Sequence, residues 1–176
     1  MTLEENLKSV IRDVPDFPKP GILFKDISTI MLDPKLSKEV LAHLKDLYQS
    51  ESIDAVAGIE SRGFLFGYPL AMRLEVPFVL IRKKGKLPHK VISVDYNLEY
   101  GSATVEMHVD ALTDGQKVLI HDDLLATGGS AGGAAMLIEK AGAEVAGFNF
   151  LVALEFLKGA DVLKKYSDNI TNLVSY

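Results

Sequence analysis

The chain contains no cysteine among its 176 residues, and this absence excludes several kinds of chemistry at once. Without a thiol there is no disulfide, no thiolate nucleophile and no zinc site built from cysteine. A cysteine-free composition also fits a reducing compartment, and we therefore expect a cytoplasmic protein.

Long apolar runs and export signals are missing as well. No stretch approaches the roughly 18 consecutive apolar residues of a membrane span, and the acidic, amphipathic start MTLEENLKSVIRDV does not resemble a secretion signal. The sequence also has no repeat and no linker rich in serine or glycine. We therefore expect one domain over residues 1–176, with an N-terminal helix and loop in 1–30, a core in 31–155 and a C-terminal segment in 156–176.

Excess positive charge is missing from the chain as a whole, with one local exception. A formal net charge of −5 argues against general affinity for nucleic acids, because neutralising phosphates requires a cationic surface. The segment IRKKGKLPHK nevertheless brings five cations together without an acid: Arg82, Lys83, Lys84, Lys86 and Lys90. A solvated loop or a localisation signal would have this composition. Because the run directly follows the buried-looking stretch VPFVLI, a small, highly anionic ligand is the better interpretation.

The order of the patterns predicts an α/β fold. Helical spacing of apolar residues is found in LEENLKSVIRDV, DPKLSKEVLAHLKDLYQ, the segment after ESRG, and SAGGAAMLIEKAG. Strands are predicted in DAVAGI, VPFVLI, KVLIHD and AEVAGFNFLVAL, an edge strand in NITNLVSY, and a hairpin in VISVDYNLEYGSATVEMHV. The proline-rich DFPKPGILFKDIS predicts an ordered loop. Aliphatic strands that alternate with helices favour a mostly parallel, twisted sheet flanked by helices.

Three polar segments directly follow predicted strands. They are GIESRGF, IRKKGK and HDDLLATGG. Because ligands of such folds bind at the carboxyl ends of the parallel strands, we expect these segments to form one site.

The stretch VLIHDDLLATGGS carries the most specific signal. Gly128 and Gly129 let main-chain amides approach an anion, Thr127 and Ser130 add hydroxyl donors, and a helix begins there. The spacing matches neither a Walker loop nor G-x-G-x-x-G. A phosphate-binding loop and a plain strand–turn–helix connection are both compatible with the glycines alone.

Asp122 and Asp123 favour the first of these interpretations and extend it. Two carboxylates repel a phosphate, so they must face another part of the ligand. The vicinal hydroxyls of a ribose can each donate a charge-assisted hydrogen bond to them. A metal is the alternative partner, although magnesium usually keeps waters and substrate phosphates as its ligands. A ribose 5-phosphate would satisfy both halves of the motif.

Together these motifs resemble the type I phosphoribosyltransferases, and within them the adenine phosphoribosyltransferase family. VLIHDDLLATGGS is similar to the family's motif for phosphoribosyl pyrophosphate, and DFPKPGILFKDIS, GIESRGFLFG, IRKKGKLP and LEYG follow the family's order and approximate spacing. The resemblance extends from about Pro15 to Glu155. It implies the type I fold with a mobile β-hairpin hood, a homodimer, small-molecule substrates, and Mg²⁺ bound mainly through the substrate.

The resemblance also implies a role for each motif. Ribose 5-phosphate would be bound by Asp122, Asp123, Ala126, Thr127, Gly128, Gly129 and Ser130. Pyrophosphate would be bound by Glu60, Ser61, Arg62, Arg82, Lys83 and Lys86. Adenine would be bound by Leu23, Phe24, Lys25 and Tyr100, with Glu99 and Arg62 as the catalytic residues.

Several of these positions have a simpler interpretation from the residues alone. Ser61 would be an ordinary helix cap, and Glu99 an inert side chain on a hairpin surface. The family pattern also leads us to expect arginine where this chain has Lys25. In the family the peptide before the serine is often cis, and some of the cations come from a neighbouring subunit.

The function implied is purine salvage, in which adenine displaces pyrophosphate from 5-phosphoribosyl 1-pyrophosphate to give AMP with inversion at the anomeric carbon. A 6-oxopurine or xanthine phosphoribosyltransferase is one alternative. A non-catalytic sensor of a phosphoribosyl ligand is another.

Overall fold

The computed structural model describes residues 2–97 and 101–176. Its helices are α1 (Leu3–Val10), α2 (Ser28–Met31), α3 (Pro34–Tyr48), α4 (Gly63–Leu74), α5 (Gly129–Lys140) and α6 (Gly159–Leu163). Its strands are β1 (Arg12–Pro15), β2 (Leu23–Asp26), β3 (Ala55–Ile59), β4 (Phe78–Lys83), β5 (Val91–Asn97), β6 (Ser102–His108), β7 (Lys117–Leu125), β8 (Glu144–Ala153) and β9 (Ile170–Ser175). A short 3₁₀ turn spans Glu155–Leu157.

Seven strands form one twisted sheet in the order β5-β6-β4-β3-β7-β8-β9. Five of these strands are mutually parallel, namely β4, β3, β7, β8 and β9. The β5–β6 hairpin joins the edge of the sheet at β4 in antiparallel orientation. The predicted α/β class and the predicted hairpin are therefore confirmed. The predicted C-terminal strand is confirmed too, because β9 extends the same sheet beside β8.

The core lies on both faces of this sheet. On one face α1, α3 and α4 bury residues such as Leu44 and Leu70 against Leu119 of β7. On the other face α5 buries Ile138 against Ile120, the next residue of the same strand. This alternation is what a strand covered on both faces requires. No helix in the described ranges is long and apolar enough to cross a membrane.

The N-terminal segment differs from the prediction. The first helix was expected to reach Val14, but α1 ends at Val10, and Val14 lies in β1 opposite Phe24 of β2. Pro15 is one reason why the helix does not reach Val14, because the residue before a proline is disfavoured in helical conformation. The segment expected to be a loop therefore contains a strand, β2, which pairs with β1 in a separate two-stranded sheet.

Candidate active site

The two aspartates lie inside a strand rather than after it. KVLIHD was expected to end at Asp122, but β7 continues to Leu125, with Leu124 and Leu125 paired to Val152 and Ala153 of β8. The apolar residues beyond the aspartates allow the pairing to continue. The carboxylates are tolerated because this end of β7 borders a cleft of about 210 Å³.

The carboxyl groups of Asp122 and Asp123 are close to one another and largely removed from solvent. The Asp123 main-chain N–H donates to Asp122 Oδ1 at 2.9 Å, and the Asp123 side chain is only 4% exposed. Burial, followed by the neighbouring Asp123 charge, raises the pKa of Asp122 well above its usual value. Burial also raises the pKa of Asp123, although Arg62 opposes this rise. The pair therefore retains a proton more readily than ordinary carboxyl groups do, and hydroxyl donors or positive charge from a ligand would favour its ionised form.

Arg62 provides the counter-charge. Its Nε lies 2.7 Å from Asp123 Oδ2, and its side chain is about half exposed. The contact is an ion pair rather than an aligned hydrogen bond, since this oxygen has no aligned donor within residues 2–97 and 101–176. Arg62 therefore joins the start of α4 to the end of β7, although the two residues are far apart in the sequence.

Gly63 allows α4 to approach β7 this closely. A Cβ atom added at Gly63 would lie 2.8 Å from the His121 carbonyl oxygen and 3.0 Å from Asp122 Oδ1. Any side chain here would push the helix away from the aspartates. Sequence reasoning missed this residue, because a glycine after ESR gives no sign of which strand it will face.

The segment 126–130, which the sequence predicts to bind an anion, leads into the start of α5. Gly128 is the N-cap residue, with a left-handed φ of 82°, and among the described residues no side chain caps the helix. The N–H groups of the first turn of a helix have no partner within the helix. Together with the helix dipole they favour a phosphate at this position. The loop and both aspartates line the same cleft.

The loop is supported from behind by the start of α6. A Cβ atom at Gly159 would lie 2.2 Å from the Ala126 carbonyl oxygen, and one at Gly128 would lie 2.6 Å from the Gly159 carbonyl oxygen. The two main-chain segments therefore touch with no room for a side chain. Gly159 is a second residue that sequence reasoning missed, because it lies outside every motif.

A second cleft, of about 420 Å³, continues from the aspartates along the ends of β3 and β4. Its lining includes Glu60, Ser61, Arg62 and Lys83, as predicted for one shared site. The Glu60–Ser61 peptide is cis. Ser61 does not cap α4, because the N-cap residue is Arg62, so the interpretation of Ser61 as a helix cap is wrong.

Glu60 and Arg82 hold each other. Arg82 Nε and Nη2 donate to the Glu60 carboxylate at 3.2 and 3.0 Å, and the Lys83 main-chain N–H donates to it at 3.1 Å. The Arg82 hydrogen bonds lower the pKa of Glu60, which is therefore ionised. A carboxylate repels pyrophosphate, so the role of the Glu60 side chain is to fix Arg82 rather than to contact such a ligand. Only the remaining guanidinium N–H groups of Arg82 can face a ligand.

The rest of the basic run follows a turn at the end of β4. Arg82 Nη1 donates to the Lys86 carbonyl at 2.9 Å, and the Gly85 N–H donates to the buried Glu106 carboxylate at 2.9 Å. Lys83, Lys84 and Lys86 are all exposed, and of these three Lys83 lines the cleft. The turn is thus well held, while its lysine side chains extend into solvent.

The β2 segment brings the predicted base-binding residues to the same region. The Arg62 guanidinium carbon lies 5.2 Å from the centre of the Phe24 ring, whose edge contact with Phe17 measures 5.1 Å between centroids. The Lys25 side chain turns away. It is buried, with Nζ 2.6 Å from Asp13 Oδ1 and 3.7 Å from the centre of the Tyr176 ring. At Lys25 only main-chain groups are therefore available to a base.

Glu99 and Tyr100 lie outside the described residues. The strands on either side of them, β5 and β6, are paired along their whole length, from Val91 opposite His108 to Asn97 opposite Ser102. The roles predicted for Glu99 and Tyr100 remain predictions.

A buried polar chain lies behind the aspartates. His121 Nδ1 is 2.8 Å from Asn149 Oδ1, Asn149 Nδ2 donates to Thr171 at 3.0 Å, and Thr171 also contacts the Tyr48 hydroxyl. Because the Asn149 oxygen must accept, His121 carries its proton on Nδ1. Burial lowers the pKa of His121 to about 4. These contacts and the complete burial of the ring indicate a structural role for His121.

Comparison with known proteins identifies the family. Residues 28–174 match the phosphoribosyl transferase domain. The chain is 48% identical over 174 residues to the adenine phosphoribosyltransferase of Cytophaga hutchinsonii, covering 99% of this chain and 96% of that protein.

Solved structures agree. The adenine phosphoribosyltransferase of Thermoanaerobacter pseudethanolicus is similar with a TM-score of 0.95 and 46% identity, over 99% of this chain and 100% of that one. The Trypanosoma brucei enzyme, solved with AMP, pyrophosphate and ribose-5-phosphate, is similar with a TM-score of 0.89 and 26% identity, over 98% of this chain and 79% of that one. This chain belongs to the phosphoribosyl transferase family and, within it, to the adenine phosphoribosyltransferases.

Proposed function

We propose that this chain joins adenine to 5-phosphoribosyl 1-pyrophosphate, giving AMP and pyrophosphate with inversion at the anomeric carbon. One observation carries the proposal. The buried Asp122–Asp123 pair and the uncapped start of α5 line a single cleft, as binding of a ribose hydroxyl pair and a 5-phosphate would require. The relatives of the chain are named for this reaction.

The ribose 5-phosphate end of the substrate is bound by hydrogen bonds and by charge. The hydroxyls of the ribose donate to Asp122 and Asp123, while the amides and hydroxyls of residues 126–130 take the 5-phosphate. Close contact between Gly128 and Gly159 supports a rigid loop. A rigid loop binds a phosphate without an ordering cost at the moment of binding.

Pyrophosphate occupies the cleft along the ends of β3 and β4. Arg62 and Lys83 line that cleft, and Arg82 is fixed at its border by Glu60. Negative charge accumulates on pyrophosphate as the glycosidic bond breaks, and fixed cations stabilise such charge without reorganisation. Leaving-group stabilisation and positioning therefore supply most of the rate.

The base lies between β2 and the hairpin. The Phe24 ring stacks on the purine, and the main-chain groups of Leu23 and Lys25 read its edge. Glu99 accepts the proton that the purine ring loses as N9 bonds to the anomeric carbon and pyrophosphate leaves, and Tyr100 helps to orient the base. Closure of the hairpin excludes water, which would otherwise hydrolyse the activated sugar.

Magnesium enters with the substrate. As the family resemblance implies, Mg²⁺ would be bound mainly through the substrate; among the described residues no group of three or more histidine, aspartate or glutamate side chains could hold a metal. Such a hard cation fits a site rich in oxygen donors, and the negative character of the aspartate pair favours it. When bound, Mg²⁺ neutralises part of the pyrophosphate charge.

The chain acts as a homodimer in the cytoplasm. Leu65, Tyr68 and Met72 are exposed by 42%, 54% and 61% and share one face of α4, the helix that begins at the site. An apolar face of this kind is a typical subunit interface, and a second copy is the occupant that the family resemblance implies. The cytoplasmic location rests on the absence of cysteine and remains a prediction.

Turnover of adenine, hypoxanthine and xanthine with the same phosphoribosyl donor tests the proposal. We expect AMP formation from adenine and little reaction with the two oxopurines, because an oxo group needs a donor where the adenine amino group needs an acceptor. No turnover of adenine would contradict the proposal. Glu99→Gln should greatly slow turnover while sparing AMP binding, whereas a sensor without catalysis would show no turnover to slow.

A further inference from the structure

Tyr96 of the hairpin lies against the first turns of α5. A Cβ atom at Gly133 would lie 2.7 Å from the Tyr96 ring carbon Cδ1 and 2.9 Å from Cγ. The ring therefore packs on bare helix backbone, and only glycine leaves it room. Further along α5, Lys140 Nζ donates to the Ser93 carbonyl at 2.9 Å. The hairpin strand β5 is thus attached to α5 at two places.

The same tyrosine reaches the phosphate-binding loop. Its hydroxyl oxygen lies 3.4 Å from Ser130 Oγ, and either oxygen can donate. This distance is long for an O–H···O hydrogen bond. A phosphate in the loop would accept a hydrogen bond from the Ser130 hydroxyl. The Ser130 oxygen would then be left to accept a hydrogen bond from the Tyr96 hydroxyl. A chain of donors that ends on an anion strengthens each of its bonds.

We infer that Tyr96 couples occupancy of the phosphate loop to the position of the β5–β6 hairpin, and so acts as a positioning residue for the transfer reaction. The inference rests on the proposed function in one respect, the 5-phosphate bound by residues 126–130. Tyr96 precedes Glu99 by three positions in the sequence. A firmer bond from Tyr96 to Ser130 therefore holds β5, which ends at Asn97, two positions before the proposed acid–base residue, more tightly when the sugar phosphate is present.

Steady-state kinetics of Tyr96→Phe tests the coupling. Loss of one hydrogen bond should lower kcat by about two- to tenfold. On a Ser130→Ala background the same change should have almost no further effect, because residues that act through one contact are not additive. Tyr166→Phe is the matched control, since Tyr166 approaches α5 near Gly132, away from the hairpin, and its loss should leave kcat unchanged. An unchanged kcat in Tyr96→Phe, or an equal fall on both backgrounds, would overturn the inference.

Amide hydrogen exchange separates this inference from the proposed function. Ribose 5-phosphate added to the wild-type protein should slow exchange in residues 126–131 and also in residues 91–97, whereas in Tyr96→Phe only the loop should respond. A wild-type response confined to the loop would refute the coupling and leave the phosphate site intact. If neither segment responds, the phosphate site itself is wrong, and the coupling with it.

Discussion

Asp122→Asn removes one buried negative charge and keeps the size of the side chain. In the free protein the pKa of Asp122 is raised well above its usual value, chiefly by burial and then by Asp123. Hydroxyl groups that donate to a carboxylate favour its ionised form and lower its pKa. Ribose binding should therefore release a proton from this pair, and affinity should rise with pH between the pKa of the complex and the pKa of the free protein.

The magnitude follows from the contact that is lost. A hydrogen bond to a charged group contributes about 1.5–3 kcal/mol, so Asp122→Asn should weaken AMP binding by roughly tenfold to a hundredfold. The variant should also release fewer protons than the wild type. AMP exchanges a proton of its own phosphate, but this contribution is common to both proteins and cancels in the comparison.

Titration calorimetry in buffers of different ionisation enthalpy counts the protons directly. Asp110→Asn is the control, because Asp110 is exposed and follows β6 outside the clefts that the site residues line; it should bind AMP and release protons as the wild type does. Ribose binding by this pair is excluded if Asp122→Asn binds AMP as tightly as the wild type, or if both proteins release the same number of protons.

Three further changes test other parts of the molecule. At Gly63 a Cβ atom would lie 2.8 Å from a main-chain oxygen of β7, so Gly63→Ala should lower kcat/KM for the phosphoribosyl donor by about tenfold or more. At Gly67, one turn later, an added Cβ atom would approach only side-chain atoms, so Gly67→Ala should retain most of the activity. Equal losses of kcat/KM in the two variants would exclude this role of Gly63. The pKa of His121 is about 4 in the folded protein against an ordinary 6.5, so the unfolded chain binds the extra proton first. The contribution of neutral His121 to the free energy of unfolding should therefore be fully present above about pH 6.5. The free energy of unfolding should fall by about 3 kcal/mol towards pH 4. Urea unfolding at both pH values should show this loss reduced in His121→Gln but not in His43→Gln, and an unchanged loss in His121→Gln would count against it. Tyr68→Glu should shift the sedimenting species from dimer to monomer, and a wild-type monomer would exclude the proposed interface.

The sequence was most informative where function and local structure use the same residues. In HDDLLATGGS the adjacent carboxylates, the glycines and the helix start follow one another in the sequence, so the site can be recognised without the structure. The alternation of aliphatic runs and helical patterns likewise predicted the parallel sheet, because burial on both faces requires apolar residues throughout a strand.

Contacts between distant segments could not be predicted from the sequence. Arg62 pairs with Asp123, and the side chain of Lys25 is buried against Asp13 rather than facing a base. Gly159 supports the phosphate loop from a segment without any motif. Such contacts depend on how α4, β1 and α6 pack, and packing is a property of the folded chain rather than of a local pattern.

The most direct measurement is a crystal structure of the protein with AMP. The proposed function requires the phosphate against the main-chain amides of residues 126–130, both ribose hydroxyls on Asp122 and Asp123, and the adenine ring on Phe24. A nucleotide bound elsewhere, or aspartate side chains that make no contact with the ribose, would contradict it.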